Sequence, residues 1–271
     1  MIKIVTDSTS YMTEAFRKEH DITIIPLSVN TASGVFVEGM PGSFEPIFVA
    51  MEADPESKTS MPAPEAFSNA FKRILDEGNE VFCLCISSAL SGTFANSVTY
   101  AAKGLEGVTI YDSGAAAEMT LLLIEELVEG IAAGETRAQL VARLEAKRDK
   151  CSIMFLPYSL KALARGGRLN LLTRAIGTLL HLKPLLTFKN NILMCKSKFL
   201  GMQNALKGLV NEIPAGARKI YVLAIYSSQF FDQLLDMVKV ARPSAEVLVG
   251  EIGPVVGNHV GRGAVGVAYI V

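Results

Sequence analysis

Four segments of the sequence hold the residue types from which a polar binding site can be built. In ISSALSGTF (residues 86–94) an apolar strand runs into a Ser/Gly turn that opens a helix. Ser91 is the natural N-cap there, and Gly92 lets another group approach the backbone. Unpaired amides and the positive end of the helix dipole suit such a turn to an anion as well as to plain capping. In KTSMP (58–62) two adjacent hydroxyls, Thr59 and Ser60, precede a proline. The proline biases Met61 toward an extended conformation, so the segment reads as a loop with exposed hydroxyls or as an ordinary turn. DSTS (7–10) lies where a first strand ends, the edge at which α/β sheets collect ligands, and it can equally cap a helix. In EIGPVVGNHVGRGAVG (251–266) five glycines surround His259 and Arg262. Such density suggests backbone brought close to a ligand or another chain, and a histidine can donate to an oxyanion. A serine-nucleophile chemistry at Ser91 has less support. No G-x-S-x-G elbow occurs, and His259 as base would lack a nameable orienting acid.

The elements that must position these segments alternate. Short apolar runs at 2–6, 22–29, 81–86 and 108–111 predict strands, separated by helical stretches at 11–19, 65–77, 91–102, 115–133 and 137–150. That alternation predicts a parallel sheet with helices on both faces. After residue 150 the texture changes. Apolar runs at 152–156, 185–188, 192–195, 219–225 and 246–249, with helices near 198–212 and 229–241, predict a smaller mixed-sheet α/β domain. The fold class expected is therefore two-domain α/β, with a parallel-sheet α/β/α domain at 1–155 and a mixed-sheet domain at 156–271.

Composition narrows the function. Half of the 271 residues are hydrophobic, 20% are charged, and the formal net charge is −1. With a mean hydropathy of +0.33 the chain is neither disordered nor built to grip nucleic acid through bulk charge. Four cysteines without a C-x-x-C motif and three scattered histidines argue against a disulfide framework or a zinc site, so no metal or cofactor is expected. The apolar stretch 115–133 carries Glu118, Glu125, Glu126 and Glu129, which makes it an amphipathic helix rather than a membrane span. With no secretory leader in MIKIVTDS, the expected location is the cytoplasm. No P-loop occurs, so ATP is not bound by that route. Charge is unevenly spread. Residues 150–211 contain ten Lys or Arg and no acid, whereas 112–135 contain six acids and no base. Such blocks are either solvated faces or docking surfaces.

Eight motifs in order, IVTDSTS, IIPLSV, TSMP, ISSALSGTF, YDS, ARGGRLN, LLHLKPLL and GPVVGNHVGRGAVG, resemble the DegV family, the fatty-acid-binding subunits of bacterial fatty acid kinases. The resemblance implies a long-chain fatty acid such as palmitate, stearate or oleate buried between the two domains. Its carboxylate would be held by Thr59, Ser60, Ser91 and His259, with Gly92, Thr93, Arg262 and Lys198 in support. The chain would be a carrier with no catalytic residue of its own, and a separate ATP-dependent kinase subunit would phosphorylate the acyl carboxylate. Arg168, in the GGR loop, is the expected partner contact. Two departures stand out. The glutamine of the family's TSQP motif is Met61 here, and Leu200 occupies the place of an arginine for which Lys198 or Arg262 can substitute. The alternative is an enzyme acting on an acyl or small carbonyl substrate through Ser91 or His259.

Overall fold

The fold was obtained as a computed structural model, which describes residues 1–158, 160–165, 182–189, 191–226 and 228–271. The chain divides into two compact units, Met1–Asp149 and Lys150–Val271.

The first unit runs β1 (Ile2–Asp7), a 3-10 turn (Ser8–Ser10), α1 (Glu14–Glu19), β2 (Thr23–Ile25), β3 (Ser28–Thr31), β4 (Gly34–Val37), α2 (Glu45–Ala53), β5 (Lys58–Ser60) and α3 (Pro64–Asp76). It continues with β6 (Glu80–Cys85), a π-helix (Thr93–Val98) leading into α4 (Thr99–Ala102), β7 (Val108–Asp112), α5 (Glu118–Ala132) and α6 (Arg137–Arg148). Its main sheet is parallel throughout, in the order β2-β1-β6-β7. Side chains alternate across β6. Val81, Cys83 and Cys85 pack with Phe67, Phe71 and Ile74 of α3, and Phe82 and Leu84, equally buried, point the other way. A separate antiparallel sheet, β4-β3-β5, brings Lys58–Ser60 beside Ser28–Asn30.

The apolar run 22–29 does not form one strand. Pro26 carries no N–H, so β2 ends at Ile25 in the parallel sheet and β3 begins at Ser28 in the other. The helix expected from Tyr11 starts instead at Glu14. Tyr11 is left-handed at φ 45°, and Thr13 caps the helix by accepting the Phe16 amide at 3.2 Å. Part of the acidic stretch 112–135 is answered inside this unit. Buried Glu126 accepts from Arg143 at 2.9 Å and Lys147 at 2.6 Å, and Glu135 accepts from Arg143 at 2.7 Å, which ties α5 to α6. Arg137–Arg148 is fixed at its start by a reciprocal cap between Thr136 and Gln139.

The second unit consists of β8 (Cys151–Leu156), α7 (Lys161–Arg165), β9 (Leu182–Lys189), β10 (Ile192–Leu200), α8 (Met202–Glu212), β11 (Lys219–Ile225), α9 (Phe231–Ala241), β12 (Glu246–Ile252), α10 (Pro254–Val260) and β13 (Val265–Ile270). The six strands form one mixed sheet, β10-β9-β8-β13-β11-β12, in which only β11 and β12 run parallel. Strand β8 pairs with β13 and β9, so its residues group with this unit. Leu206 and Leu209 of α8 and Leu234 and Val238 of α9 are buried against Leu185, Ile220, Val222 and Val267 of the sheet. Each such leucine is worth roughly 1.5–3 kcal/mol of transfer free energy. Helix α8 begins at Met202, not 198, because Lys198–Leu200 continue the β9–β10 ladder and Gly201 turns the chain at φ 76°.

Candidate functional site

The first three residues of the KTSMP segment, Lys58–Ser60, form strand β5 rather than a loop. Thr59 lies opposite Val29 and Ser60 opposite Ser28 in the β3–β5 register, and neighbouring residues of a strand face opposite ways. Thr59 therefore shares the inner face with fully buried Val29 and is itself half-buried. Ser60 is exposed on the outer face, where its hydroxyl accepts from Asn30 Nδ2 at 2.6 Å. The two hydroxyls expected to act together are thus on opposite sides of β5. Beyond them Met61 is 44% exposed and Pro62 is buried.

The turn after β6 meets this segment. Ser87 anchors it, donating its amide to the Ala115 carbonyl at 2.8 Å and accepting the Ser91 amide on its own carbonyl at 3.1 Å. Ser91 Oγ then lies 2.9 Å from Thr93 Oγ1 and accepts the Thr93 amide at 3.3 Å, while the cap position of the π-helix expected at Ser91 falls on Gly92. Two contacts hold the turn to the KTSMP segment. Ser97 Oγ donates to the Pro62 carbonyl at 2.6 Å, and a Cβ on Gly92 would stand 3.0 Å from Met61 Sδ. Ser91 and Gly92 are half-buried and Thr93 is buried, so the turn presents part of itself to solvent. Ser97 was invisible as a site residue in the sequence, because nothing local marks a hydroxyl that reaches across to Pro62.

The DSTS segment, by contrast, is closed. Asp7 Oδ1 accepts the Thr9 amide at 2.9 Å and the Thr9 hydroxyl at 2.5 Å, while Oδ2 accepts the Ile86 amide at 2.7 Å. Ser8 Oγ donates to buried Glu38 at 2.5 Å and accepts the Leu27 amide at 3.1 Å. Burial pushes the Asp7 carboxyl above its ordinary value, against the Thr9 hydroxyl and the Ile86 amide, which lower it.

In the second unit His259 stands half-buried in the last turn of α10, next to buried Asn258. Gly261 follows at φ 91°, and the exposed Arg262 lays its guanidinium over the Tyr226 ring, 4.1 Å from the centroid. Desolvation pushes the Arg262 guanidinium down from its ordinary value. The glycines here have structural causes in part. Gly261 and Gly263 have positive φ, and a Cβ on Gly266 would meet the Met154 carbonyl at 2.6 Å. Lys198 is exposed on β10 opposite Pro184, and Leu200, at the end of the same strand, is 67% exposed. Arg168 lies outside the described residues. Thr59, Ser60, Ser91, Gly92 and Thr93 thus belong to the first unit, and Lys198, His259 and Arg262 to the second.

Among the described residues no cluster of His, Cys, Asp and Glu could hold a metal ion, and the four cysteines are free thiols. No helix of the described residues is long and apolar enough to cross a membrane. What the first-unit turn offers chemically is a set of hydroxyl donors beside an apolar thioether, an arrangement suited to a small anion attached to a greasy group.

Comparison with known proteins agrees with this architecture. A DegV domain-containing protein of Halalkalibacterium halodurans is 28% identical over 279 residues, covering 100% of this chain and 98% of its own. A DegV family protein from Thermus thermophilus, described as binding fatty acid, superposes with a TM-score of 0.85 at 28% identity, covering 100% of this chain and 99% of that one. DegV of Bacillus subtilis, described as a fatty acid binding protein, shares the fold with a TM-score of 0.86 at 24% identity over 99% of this chain and 98% of its own. The family described as "Uncharacterised protein, DegV family" matches residues 1–271, and the chain belongs to the DegV family over its whole length.

Proposed function

We propose that this chain binds a long-chain fatty acid and holds its carboxylate on the hydroxyls of Thr59 and Ser91, with His259 as a third donor and Gly92 and Thr93 shaping the turn. The observation that supports this most is the meeting of the KTSMP strand with the Ser91 turn through Ser97–Pro62 and Met61–Gly92. The 28% identical Thermus protein, described as binding fatty acid, supports the choice of ligand.

The division of labour follows from magnitudes. A buried CH2 is worth about 0.8 kcal/mol, so a 16-carbon tail gains roughly 10 kcal/mol before the costs of association. Each charge-assisted hydrogen bond to the carboxylate adds about 1.5–3 kcal/mol. The tail supplies affinity, and the hydroxyls fix where the acid ends.

In the same proposal the chain is a carrier. It presents the carboxylate to a separate ATP-dependent kinase subunit, and phosphotransfer resides in that partner. Arg262, ordered by its stacking on Tyr226, and Lys198 take the place of the cation absent at Leu200. The setting is cytoplasmic, consistent with free thiols at all four cysteines.

Native mass spectrometry of freshly purified protein, followed by titration of delipidated protein with oleate, tests the binding. Bound mass in the fatty-acid range and uptake of oleate are expected. Protein that stays apo and takes up neither oleate nor palmitate refutes it. For the carrier role, acyl-phosphate formation with a fatty acid kinase subunit should collapse in Lys198→Ala/Arg262→Ala, and full turnover in that double variant removes the compensation.

A further inference from the structure

We infer that Asn96, aimed by the π-helix Thr93–Val98, is a head-group residue that supplies an amide donor at the Gly92 face, where Met61 brings none. This rests on the fatty-acid reading of the Ser91 turn and deepens it.

The helix that follows Ser91 opens as a π-helix, and the Thr99 amide donates to the Phe94 carbonyl five residues back. A π turn holds one residue more than an α turn, so positions four and five residues on lie above a given residue, rather than three and four. Asn96 is four residues beyond Gly92, and the wide turn lays it over that glycine. A Cβ on Gly92 would stand 2.7 Å from Asn96 Nδ2 and 3.0 Å from Met61 Sδ. The absence of a side chain at Gly92 is what admits them, and the two converge on the same face of the turn.

The other polar side chains of this stretch are engaged. Ser91 and Thr93 pair with each other, Ser97 donates to the Pro62 carbonyl, and Thr99 Oγ1 donates to the Phe94 carbonyl at 3.0 Å. Asn96 is exposed, and among the described residues its side chain makes no hydrogen bond. An amide with two N–H donors at the Gly92 face, one residue from Ser91, is matched to a carboxylate oxygen. π turns persist at a cost in helix regularity and recur at functional sites. Met61, the neighbour that shares the Gly92 face, brings only a thioether, a weak acceptor with no proton to give.

Oleate and methyl oleate titrations of wild type, Asn96→Ala, Asn96→Asp, Met61→Gln/Asn96→Ala and Ser91→Ala, each checked by thermal melting, test the assignment. Loss of one donor to a charged group predicts oleate affinity about tenfold weaker in Asn96→Ala. Asn96→Asp should bind oleate more weakly still at pH 8, recover as pH falls toward 5, and treat methyl oleate like Asn96→Ala. Met61→Gln should restore most of the loss. Wild-type oleate affinity in Asn96→Ala and Asn96→Asp, with Ser91→Ala impaired, overturns the role of Asn96 and leaves the head-group site standing. Equal losses for oleate and methyl oleate overturn it too, as mere packing. Unchanged oleate binding in Ser91→Ala as well removes the head-group site itself, and this inference with it.

Discussion

Two turns stand at the carboxyl ends of neighbouring parallel strands, Asp7–Ser10 after β1 and Ser91–Thr93 after β6, and both are made of small hydroxyl residues. The first is buried throughout, and its polar atoms are answered within the unit by Thr9, Ile86, Leu27 and Glu38. The second is half-buried at Ser91 and Gly92 and buried at Thr93. Its two hydroxyls pair with each other, Ser91 Oγ also accepts the Thr93 amide, and the exposed Asn96 side chain close to Gly92 makes no hydrogen bond among the described residues. Buried polar groups must find partners, so a turn whose partners are all internal is architecture, and one left short at the rim is where a ligand can complete the set. Composition does not separate them; the accounting of hydrogen bonds does.

The sharpest way to break that contrast is Asp7→Ala. It strands the Ile86 and Thr9 amides in a dry interior, at about 1–3 kcal/mol each, so a loss of roughly 3–5 kcal/mol is expected. Thermal melting of the apo protein should show a midpoint lower by roughly 10 °C or more. A midpoint within 2 °C of wild type would mean the first turn is not architecture. The same carboxyl gives a pH signature. Burial raises its folded value above 3.8, so the stability it contributes is fully present below 3.8 and is lost as pH rises through the raised folded value. Asp7→Asn should remove that slope from the melting midpoint measured between pH 4 and 8, and parallel curves for the two proteins would contradict it.

The second turn should respond the other way. Ser91→Ala and Thr59→Ala should each leave the melting midpoint within about 2 °C, yet weaken oleate by roughly ten- to a hundredfold. In a cycle of Ser91→Ala with His259→Ala, coupling beyond about 0.5 kcal/mol is expected if both touch one carboxylate. Strict additivity would detach His259 from the head group. Gly92→Ala comes next. The added Cβ meets only the ends of flexible side chains, Asn96 and Met61, so the fold should hold while oleate affinity falls a few-fold in the same titration. Smallest of all is Ser60→Ala. On the outer face of β5 and bonded to Asn30, it should change oleate affinity less than twofold. A loss matching Thr59→Ala would place both hydroxyls on the ligand after all.

Much of the fold was legible because buried strands such as β6 and β11 are uniformly apolar and α3 and α8 repeat at helical spacing. What escaped was set by tertiary pairing. Lys58–Ser60 has no apolar alternation and becomes a strand only because β3 lies beside it, which is also why the opposite facing of Thr59 and Ser60 could not be foreseen. Helix α10 was hidden by its glycines, although Gly253 and Pro254 at its start and Gly261 at φ 91° past its end are helix punctuation. Strand β13 was hidden in the same way, since Gly266 serves close strand packing against Met154. The Ser91 turn was readable from residue type and position. The π-helix that redirects Asn96 was not, because no local propensity marks it.

A crystal structure of the delipidated protein reloaded with oleate tests the central claim most directly. The account predicts a carboxylate oxygen within 3.2 Å of both Ser91 Oγ and Thr59 Oγ1, the hydrogen-bonding range for hydroxyl donors of about 2.5–3.0 Å with allowance for coordinate error. A carboxylate seated elsewhere, with those two hydroxyls facing solvent, would contradict it.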